Sequence, residues 1–474
     1  MVQIKKHNTL YIKIITDNRG YITDLRENFT DFVEGYRFHP KYKAGQWNGR
    51  ICMVEQGNIL PYGLLFDVIK FTRSSYKDET LSIDQDVKDM FIGTEIEPDF
   101  SLNLFPRDYQ ISCITKCLRH KAGIIVSATA SGKSCSIAYV IKTLMDNNLI
   151  KRVLIITPTI SLVSQFFADL VEYGMDSSTI GKVYSKIKEF DKDIVISTWQ
   201  TLIKNYDKLE DYDCVICDET HGASAFSIKT ILSKCINAGY RFGFTGTMPQ
   251  EKLANWNIKG FLGPILETCS AADLAEQGYI AKCNVDFMQI NYKDTYRGDY
   301  NSVKDAIFTN PNRLSLIHKI IKNVDGNILV LVGKVESEGK LLKDYLDKCK
   351  LDDREIVFIW GDTSAENREM WRLELGKRKN IVLIATYQIF QVGINAPSLK
   401  YILFASPFKS RIRVLQSIGR ALRLHEDKDF ATIYDLSDEV PFLSDHSLKR
   451  LRYYISEKFN VNETTIDEKE LLFF

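Results

Sequence analysis

Short apolar runs rich in β-branched residues alternate with longer stretches of helical periodicity from about residue 120 onward. Such runs are typical of strands that are buried on both faces of a sheet. The first series of runs covers residues 123–126, 153–156, 194–196, 214–217 and 242–244, and helical stretches such as 137–145 and 162–173 separate them. This alternation predicts a parallel sheet with helices on both faces.

The same pattern restarts in the second half of the chain. Apolar runs at residues 328–332, 356–359, 381–385, 401–404 and 431–434 alternate with helical stretches at 336–349, 366–375 and 412–422. We therefore expect a second α/β domain after the first.

The first hundred residues have a different pattern. They contain a strand-like piece at Tyr11–Ile15, an aromatic and basic middle, and turn signals at residues 18–20 and 56–58. This predicts a small α+β or β-rich domain. The expected organisation is a small N-terminal domain, a first α/β domain, a linker or insertion, a second α/β domain and a helical tail, with bounds 1–98, 99–250, 251–311, 312–440 and 441–474.

Composition agrees with a packed multidomain protein. The chain has 474 residues, 45% of them hydrophobic and 26% charged, which argues against a disordered, collagen-like or rod-like protein. No apolar run approaches the ~18 residues that span a bilayer, and the first ten residues lack the apolar stretch of a signal peptide. We expect no membrane contact and a cytoplasmic location.

Charge and cysteine content narrow the picture further. The formal net charge is +1, so binding to a polyanion depends on local basic patches. The ten cysteines are scattered, which favours reduced thiols. Cys214 and Cys217 form a CxxC pair, but alternation along a strand directs the two thiols to opposite faces, which favours buried structural cysteines over zinc ligands.

A candidate phosphate-binding loop follows the first predicted strand of the first α/β domain. Small residues allow the loop backbone to wrap around phosphates, and the next helix presents its positive N-terminus to them. We expect Lys133 to contact the β- and γ-phosphates and Ser134 to bind Mg²⁺. The expected nucleotide-binding residues of this loop are Thr129, Ala130, Ser131, Gly132, Lys133 and Ser134. The alternative is an accidental Gly-Lys-Ser at a helix start, against which the strand–loop–helix context argues.

Two adjacent carboxylates follow the strand at residues 214–217. Ligand sites lie along the carboxyl edge of a parallel sheet. We expect Asp218 to hold Mg²⁺ and Glu219 to orient and deprotonate the water that attacks the γ-phosphate. The alternative, acidic residues that cap a helix, explains Asp218 but not both residues.

These segments and their order resemble the superfamily 2 helicases and translocases, whose DExH box matches residues 218–221. The match extends over residues 105–423. The resemblance implies two RecA-like domains, ATP and Mg²⁺ as cofactors, and hydrolysis that drives movement on nucleic acid. It also implies that Phe105, Arg107 and Gln110 bind the adenine, that His221, Thr245, Gly246 and Thr247 couple hydrolysis to domain movement, and that strand contacts come from Thr157, Pro158, Thr159, Gln165, Thr198, Trp199 and Gln200.

The second α/β domain continues the resemblance. The family's fifth motif matches residues 385–397, with Thr386 as a strand contact and Gly393 as a nucleotide contact, and its sixth motif matches residues 416–423. Gln416, Arg420 and Arg423 are the implied catalytic residues. The two arginines lie three apart on a predicted helix and share a face, which suits arginine fingers directed at the γ-phosphate. The alternative is a solvated basic face.

Two positions depart from the family pattern. Ala130 stands where many members have glycine in the phosphate loop, and Asn395 stands where many have aspartate. Neither change removes a group that we assign to magnesium, to the base or to the arginine fingers. Ala130 is expected to alter the geometry of the loop and the nucleotide affinity.

The N-terminal segment 36–50 interleaves four Lys or Arg with four aromatic residues and contains no Asp or Glu. Cations neutralise phosphates and rings stack on unpaired bases, so we expect DNA contacts from Arg37, Lys41, Lys43, Trp47 and Arg50. The alternative is that the rings pack the core of a small domain. The segment resembles the N-terminal domain of UvsW-type phage helicases, which are RecG-like in plan.

That resemblance implies branched DNA as the partner: forks, Holliday junctions, displacement loops and RNA–DNA hybrids, in recombination, repair or replication. The sequence thus predicts an ATP-dependent DNA helicase or branch-migration translocase. Two alternatives stay open, an RNA helicase and an ATP-switched nucleic-acid clamp that does not unwind. The basic tail helix at residues 447–455 either contacts DNA or a partner, or packs back on its own domain.

Overall fold

The computed structural model describes residues 1–220, 225–293, 296–349, 351, 353–389, 398–406, 410–422, 428 and 430–468. The chain forms two compact units. The first consists of Met1–Ser127 and Gly132–Cys269, and the second of Ala128–Ser131 and Ser270–Phe474.

The N-terminal part of the first unit is a small α+β fold. Its strands are β1 (Val2–Lys6), β2 (Tyr11–Ile15), β3 (Thr30–Phe32), β4 (Arg50–Cys52), β5 (Ile59–Pro61) and β6 (Leu81–Ile83). The helices are Arg19–Asn28, Pro40–Lys43, Leu65–Ser75 and Gln85–Lys88. Among the described residues the strands form a sheet of order β5-β2-β1-β6 and a separate β3–β4 pair. The predicted strand at Tyr11–Ile15 is confirmed.

One of the two predicted turns in this domain is wrong. The Oδ1 atom of Asn18 accepts a hydrogen bond from the backbone N–H of Tyr21 at 3.0 Å, so Asn18 caps a helix. Asparagine is favoured both in turns and at helix N-caps, and the local pattern did not distinguish the two. The turn at residues 56–58 is confirmed, since Gly57 and Asn58 have φ angles of +83° and +59°.

The rest of the first unit is a mostly parallel sheet. Its strands are β7 (Ala122–Ser127), β8 (Val153–Thr157), β9 (Ile180–Tyr184), β10 (Ile187–Lys188), β11 (Ile194–Thr198), β12 (Cys214–Asp218), β13 (Tyr240–Thr245) and β14 (Ile265–Cys269). Their order among the described residues is β10-β9-β11-β8-β12-β13-β7-β14, with only β10 antiparallel to its neighbour. The helices are Asp108–Arg119, Lys133–Asp146, Ile160–Glu172, Trp199–Leu202, Ala225–Lys234 and Lys252–Leu262. The predicted parallel α/β domain is confirmed.

The small N-terminal fold packs on strand β13 of this sheet and on the helix Lys252–Leu262. Arg241 on β13 donates a hydrogen bond to the carbonyl of Thr9 at 3.2 Å, and the Tyr62 hydroxyl donates to the carbonyl of Phe261 at 3.4 Å. A Cβ atom at Gly63 would lie 1.9 Å from the carbonyl oxygen of Lys259, so this close approach of two backbones requires glycine. The two parts share one hydrophobic core.

The second unit is built on a second parallel sheet. Its strands are β15 (Lys282–Asn291), β16 (Ile328–Val332), β17 (Glu355–Ile359), β18 (Ile381–Thr386), β19 (Tyr401–Phe404), β20 (Phe430–Asp438) and β21 (Asn460–Asp467). The described strands have the order β17-β18-β16-β19-β20-β15-β21. The helices are Ala271–Glu276, Tyr300–Phe308, Pro311–Asn323, Leu341–Cys349, Ala365–Lys377, Arg411–Ala421 and Leu443–Ser456, and a π-helical turn covers Val335–Lys340. The second predicted α/β domain is confirmed.

The C-terminal tail contains more than the predicted helix. After the helix Leu443–Ser456, β21 pairs in parallel with β15 over eight residues. Within the described residues, no helix combines the length and the apolar character that a membrane crossing requires.

Candidate nucleotide-binding site

Two strand ends of the first parallel sheet position the candidate site. Strand β7 ends at Ser127 before the phosphate loop, and β12 ends at Asp218, with Glu219 next in the chain. Both strands run in the same direction in the sheet, so their carboxyl ends lie at one edge. The helix Lys133–Asp146 starts after Gly132, whose φ of +73° is favourable for glycine.

Lys133 and Glu219 form an ion pair at this edge. The Lys133 Nζ atom lies 3.3 Å from Glu219 Oε1, and the two side chains are only 11% and 15% exposed. Lys133 also donates to the carbonyl of Ser127 at 3.4 Å. Glu219 has a φ of +49°, a strained conformation for a residue with a Cβ atom. The predicted phosphate-binding cation and the predicted base are therefore in direct contact.

Asp218 is the buried charge of the site. Its Oδ1 atom is buried and has no hydrogen-bond partner in the described part of the chain. Burial, and then the negative charge of Glu219, raise the pKa of Asp218 to about 7. A buried carboxylate oxygen without a donor suits a hard cation or a water bound to one, so the residues present fit Mg²⁺.

Ser134, the other predicted magnesium ligand, is at the start of the same helix. Its Oγ atom lies 2.9 Å from the hydroxyl oxygen of Tyr173, which follows the helix Ile160–Glu172. No motif marks Tyr173 in the sequence, and 39 positions separate the two residues. Sequence reasoning missed this contact because only the fold brings the two hydroxyls together.

The predicted adenine-binding residues differ in exposure. Phe105 is 69% exposed and its ring lies 5.6 Å from that of Phe100, so it is accessible for stacking. Gln110 is buried: its Oε1 atom accepts from the backbone N–H of Arg107 at 2.8 Å, and its Nε2 atom donates to the carbonyl of Gly132 at 3.2 Å. In this structure Gln110 thus supports the phosphate loop. Arg107 donates to the Tyr109 hydroxyl at 3.4 Å.

The middle of the phosphate loop has an unusual backbone. Ala130 has a φ of +72°, a region that glycine enters freely and alanine does not. The backbone N–H of Ser131 donates to the carbonyl of Ala128 at 3.1 Å, which closes a tight turn around Thr129 and Ala130. The glycine that many members of the family have at this position adopts such a φ without strain, whereas Ala130 does not.

The predicted strand contacts of the first domain fall into two groups. Gln165 and Gln200 are exposed, and Thr159 caps the helix Ile160–Glu172 with Pro158 partly exposed before it. Thr157, Thr198 and Trp199 are buried. Trp199 is 3% exposed and packs in the apolar core, and its contact with nucleic acid stays a prediction. An aromatic ring that follows a buried strand serves either purpose, and the pattern alone does not decide.

The predicted coupling residues Thr245 and Thr247 are buried and hydrogen bonded to each other, with Gly246 between them. The Thr245 hydroxyl donates to the carbonyl of Thr247 at 2.9 Å.

His221, Gly393, Asn395 and Arg423 lie outside the described residues. Positions 416 and 420 lie on the helix Arg411–Ala421, whose backbone alone is described there, so Gln416 and Arg420 stay predicted catalytic residues. Thr386 ends β18 and is buried.

The basic segment of the N-terminal domain connects β3 to β4. Arg37, Lys41 and Lys43 are exposed, and Phe38 is 80% exposed, so this ring does not pack in a core. Trp47 is partly buried, and its indole N–H donates to the carbonyl of Arg50 at 3.0 Å. Arg50 pairs with Glu27 at 2.5 Å. Among the described residues, Arg37, Lys41 and Lys43 form no ion pair with a carboxylate, whereas Glu27 neutralises Arg50.

The tail helix packs back on the second sheet. Arg450 is fully buried, and its guanidinium group lies 2.7 Å from Asp435 on β20. At this position the helix packs back on its own domain, one of the two expected alternatives, because a carboxylate inside the domain pairs with the arginine. Cys214 and Cys217 are buried on β12, and their thiol pKa values are raised by burial.

Three family models match separate parts of this chain. The family model described as the res subunit of type III restriction enzymes matches residues 103–250, the DNA helicase UvsW N-terminal model matches residues 2–84, and the helicase conserved C-terminal domain matches residues 312–425.

Individual relatives extend over most of the chain. The ATP-dependent DNA helicase uvsW of Enterobacteria phage T4 is 27% identical, with 98% of this chain and 99% of that protein covered. The DNA 3'-5' translocase XPB2 of Sulfurisphaera tokodaii is 22% identical over 78% of this chain and 89% of its own length. The crystal structure of T4 UvsW, at 25% identity, covers 98% of this chain and 99% of that one with a TM-score of 0.51.

Proposed function

The chain belongs to the superfamily 2 helicases, and on this premise we propose that it is an ATP-dependent DNA helicase or translocase that unwinds or branch-migrates branched DNA. The observation that carries the proposal is the contact of Lys133 with Glu219 beside the buried Asp218, at the carboxyl edge of a parallel sheet. The likeness to the phage T4 helicase over both full lengths supports it.

The chemistry of the site follows from its charges. Lys133 exchanges its pairing with Glu219 for the β- and γ-phosphates of ATP, which leaves Glu219 to orient and deprotonate water. Ser134 and Asp218 would hold Mg²⁺, which would supply positive charge to the phosphate oxygens. Phe105 stacks on the adenine. Arg420 and Arg423 act as arginine fingers, and Gln416 belongs to the same motif.

The N-terminal domain supplies a surface for DNA. Arg37, Lys41 and Lys43 neutralise backbone phosphates, and the exposed ring of Phe38 stacks on an unpaired base at a junction. RNA–DNA hybrids present the same phosphate charge to this surface. We propose a cytoplasmic location in an infected cell, and the phage source of this relative supports it.

A panel of substrates tests this function. Forked DNA, four-way junctions, displacement loops and RNA duplexes of equal length are incubated with protein and ATP, and the products are separated on gels. We expect strand separation or branch movement on the DNA junctions. Unwinding of RNA duplexes alone supports an RNA helicase, and binding of junctions without any product supports an ATP-switched clamp.

Matched lysine variants test the DNA surface. The double variant Lys41→Ala, Lys43→Ala should bind forked DNA about tenfold more weakly at low salt, with a smaller dependence on salt concentration. Lys77→Ala, Lys88→Ala removes two lysines of the same domain outside segment 36–50 and is the control. Equal losses in the two double variants would show that the predicted surface has no special role.

A further inference from the structure

Tyr173 lies where three parts of the first unit meet. It directly follows the helix Ile160–Glu172, which Thr159 caps, and its hydroxyl oxygen is 2.9 Å from the Oγ atom of Ser134. The helix therefore begins at a predicted strand contact and ends at a predicted magnesium ligand.

The backbone around Tyr173 is fixed by the segment that leads to Phe105. The carbonyl of Tyr173 accepts from the backbone N–H of Asn103 at 2.8 Å, and the Asn103 side chain donates to the carbonyl of Glu172 at 3.3 Å. A Cβ atom at Gly174, which has a φ of +100°, would lie 2.9 Å from Asn103 Nδ2. The backbone at Tyr173 is thus fixed by Asn103, and the partly buried phenol group extends from it to Ser134.

The chemistry of a hydroxyl group that binds a cation suggests a function for the contact between Ser134 and Tyr173. A serine hydroxyl that binds a cation offers an oxygen lone pair to the cation, and its hydrogen then needs an acceptor elsewhere. We propose, on the premise of the ATP site above, that Tyr173 is a positioning residue whose phenol oxygen accepts the hydrogen of the Ser134 hydroxyl. This directs a lone pair of Ser134 toward the divalent cation.

The position of Tyr173 also predicts dependence on DNA. A helix of 13 residues is about 20 Å long and moves as a rigid element. A strand bound at Thr159 therefore stabilises one placement of the helix, and with it one placement of the phenol against Ser134. Cation affinity in the presence of nucleotide should rise when DNA is bound, and this rise should require the Tyr173 hydroxyl.

The test is a Mg²⁺ titration of binding, followed by the fluorescence of an ADP analogue with a fluorescent group on the ribose. For Tyr173→Phe we expect the Mg²⁺ midpoint to rise about fivefold to tenfold, the size of one lost hydrogen bond. Affinity for the analogue in EDTA should stay unchanged, and single-stranded DNA should no longer lower the midpoint. Tyr212→Phe is the control, because its buried hydroxyl has no hydrogen-bond partner in the described part of the chain.

A wild-type Mg²⁺ midpoint in Tyr173→Phe would overturn the proposal. So would an equal further shift when Tyr173→Phe is added to Ser134→Ala, since the phenol would then act without the serine. The ATP site itself is judged separately with Lys133→Ala. Loss of analogue binding in that variant, together with a wild-type midpoint in Tyr173→Phe, would reject the positioning role and leave the ATP site in place.

Discussion

Two buried aspartates, each at the end of a strand, differ in the number of hydrogen bonds that their carboxylate oxygens accept in the two sheets. Asp218 ends β12 in the first sheet, and its buried Oδ1 atom has no hydrogen-bond partner in the described residues. Asp438 ends β20 in the second sheet, where its Oδ1 atom accepts from Arg313 at 2.8 Å and from Tyr292 at 2.6 Å, and its Oδ2 atom accepts from Arg313 at 3.0 Å.

Asp435, also on β20, repeats the second arrangement. Both of its oxygens accept hydrogen bonds from Arg450, and Tyr454 adds another at 2.5 Å. A buried carboxylate whose two oxygens both accept hydrogen bonds stabilises the fold, because a ligand could bind it only by displacing those hydrogen bonds. A buried carboxylate with a vacant acceptor, beside a strained Glu219, is destabilising unless something binds there. The contrast separates the binding site from the scaffold.

The largest expected effect is on catalysis at the first sheet. Glu219→Gln should reduce DNA-stimulated ATP hydrolysis about 10³-fold, because an amide cannot take a proton from water. ATP binding should be retained. The control is Glu267→Gln, which breaks the ion pair of Glu267 with Lys116 in the same sheet and should leave turnover unchanged. Turnover near the wild-type rate in Glu219→Gln would remove this residue as the base.

The next effect concerns stability at the second sheet. Asp435→Asn should lower the free energy of unfolding by about 3 kcal/mol, because Arg450 would remain buried without a counter-charge. Urea titration measures this change. Asp347→Asn, which breaks an exposed pair with Lys343, should cost less than about 0.5 kcal/mol. Similar costs in the two variants would contradict the structural role of the Arg450 pair.

A smaller effect should depend on pH at the first sheet. The pKa of Asp218 is raised to about 7 in the folded protein, above its value in the unfolded chain. The folded state therefore binds the extra proton, and stability falls as pH rises toward and through 7. Asp218→Asn removes this loss, so without nucleotide and Mg²⁺ its stability relative to wild type should increase by about 2–3 kcal/mol between pH 5 and pH 8.

The exposed Asp207 supplies the comparison for that experiment, since Asp207→Asn should show no such dependence on pH. Thermal or urea unfolding at the two pH values measures both variants. A constant difference between Asp218→Asn and wild type across this range would show that Asp218 does not carry the buried charge.

The smallest effect concerns the loop backbone. At a φ of +72°, alanine is strained by about 1 kcal/mol relative to glycine, and this partly offsets the greater freedom of glycine in the unfolded chain. Ala130→Gly should be neutral or stabilising by about 0.5 kcal/mol. Ala128→Gly, at a position without a positive φ, should be destabilising by about 0.5–1 kcal/mol. The reverse order in urea titrations would contradict the strained loop.

The sequence predicts those features of the fold and of the site that depend on residues close together in the chain. The apolar runs of both parallel sheets are strands, because a short β-branched run between helices has few other solutions. The phosphate loop and the two carboxylates were predicted because their spacing reflects chemistry that contiguous residues perform. Asn18 shows the limit of local reasoning, since one side chain suits both a turn and a helix cap.

Contacts between distant residues were not predicted. The burial of Trp199, the pairing of Arg450 with Asp435 and the contact of Tyr173 with Ser134 each depend on which surfaces the fold brings together. Strand β21 likewise depends on a free edge of β15 that lies far away in the chain. The type of a residue limits the roles that its side chain can have, and the residues that it contacts in the fold determine which of these roles it has.

The most direct test of the account is phosphate release from ATP with and without forked DNA, compared between wild type and Lys133→Ala. We expect forked DNA to stimulate ATP hydrolysis by the wild type. The variant should lose nearly all of that hydrolysis, with an unchanged free energy of unfolding to within about 1 kcal/mol. DNA-stimulated hydrolysis by Lys133→Ala at the wild-type rate would contradict the placement of ATP at the ends of β7 and β12.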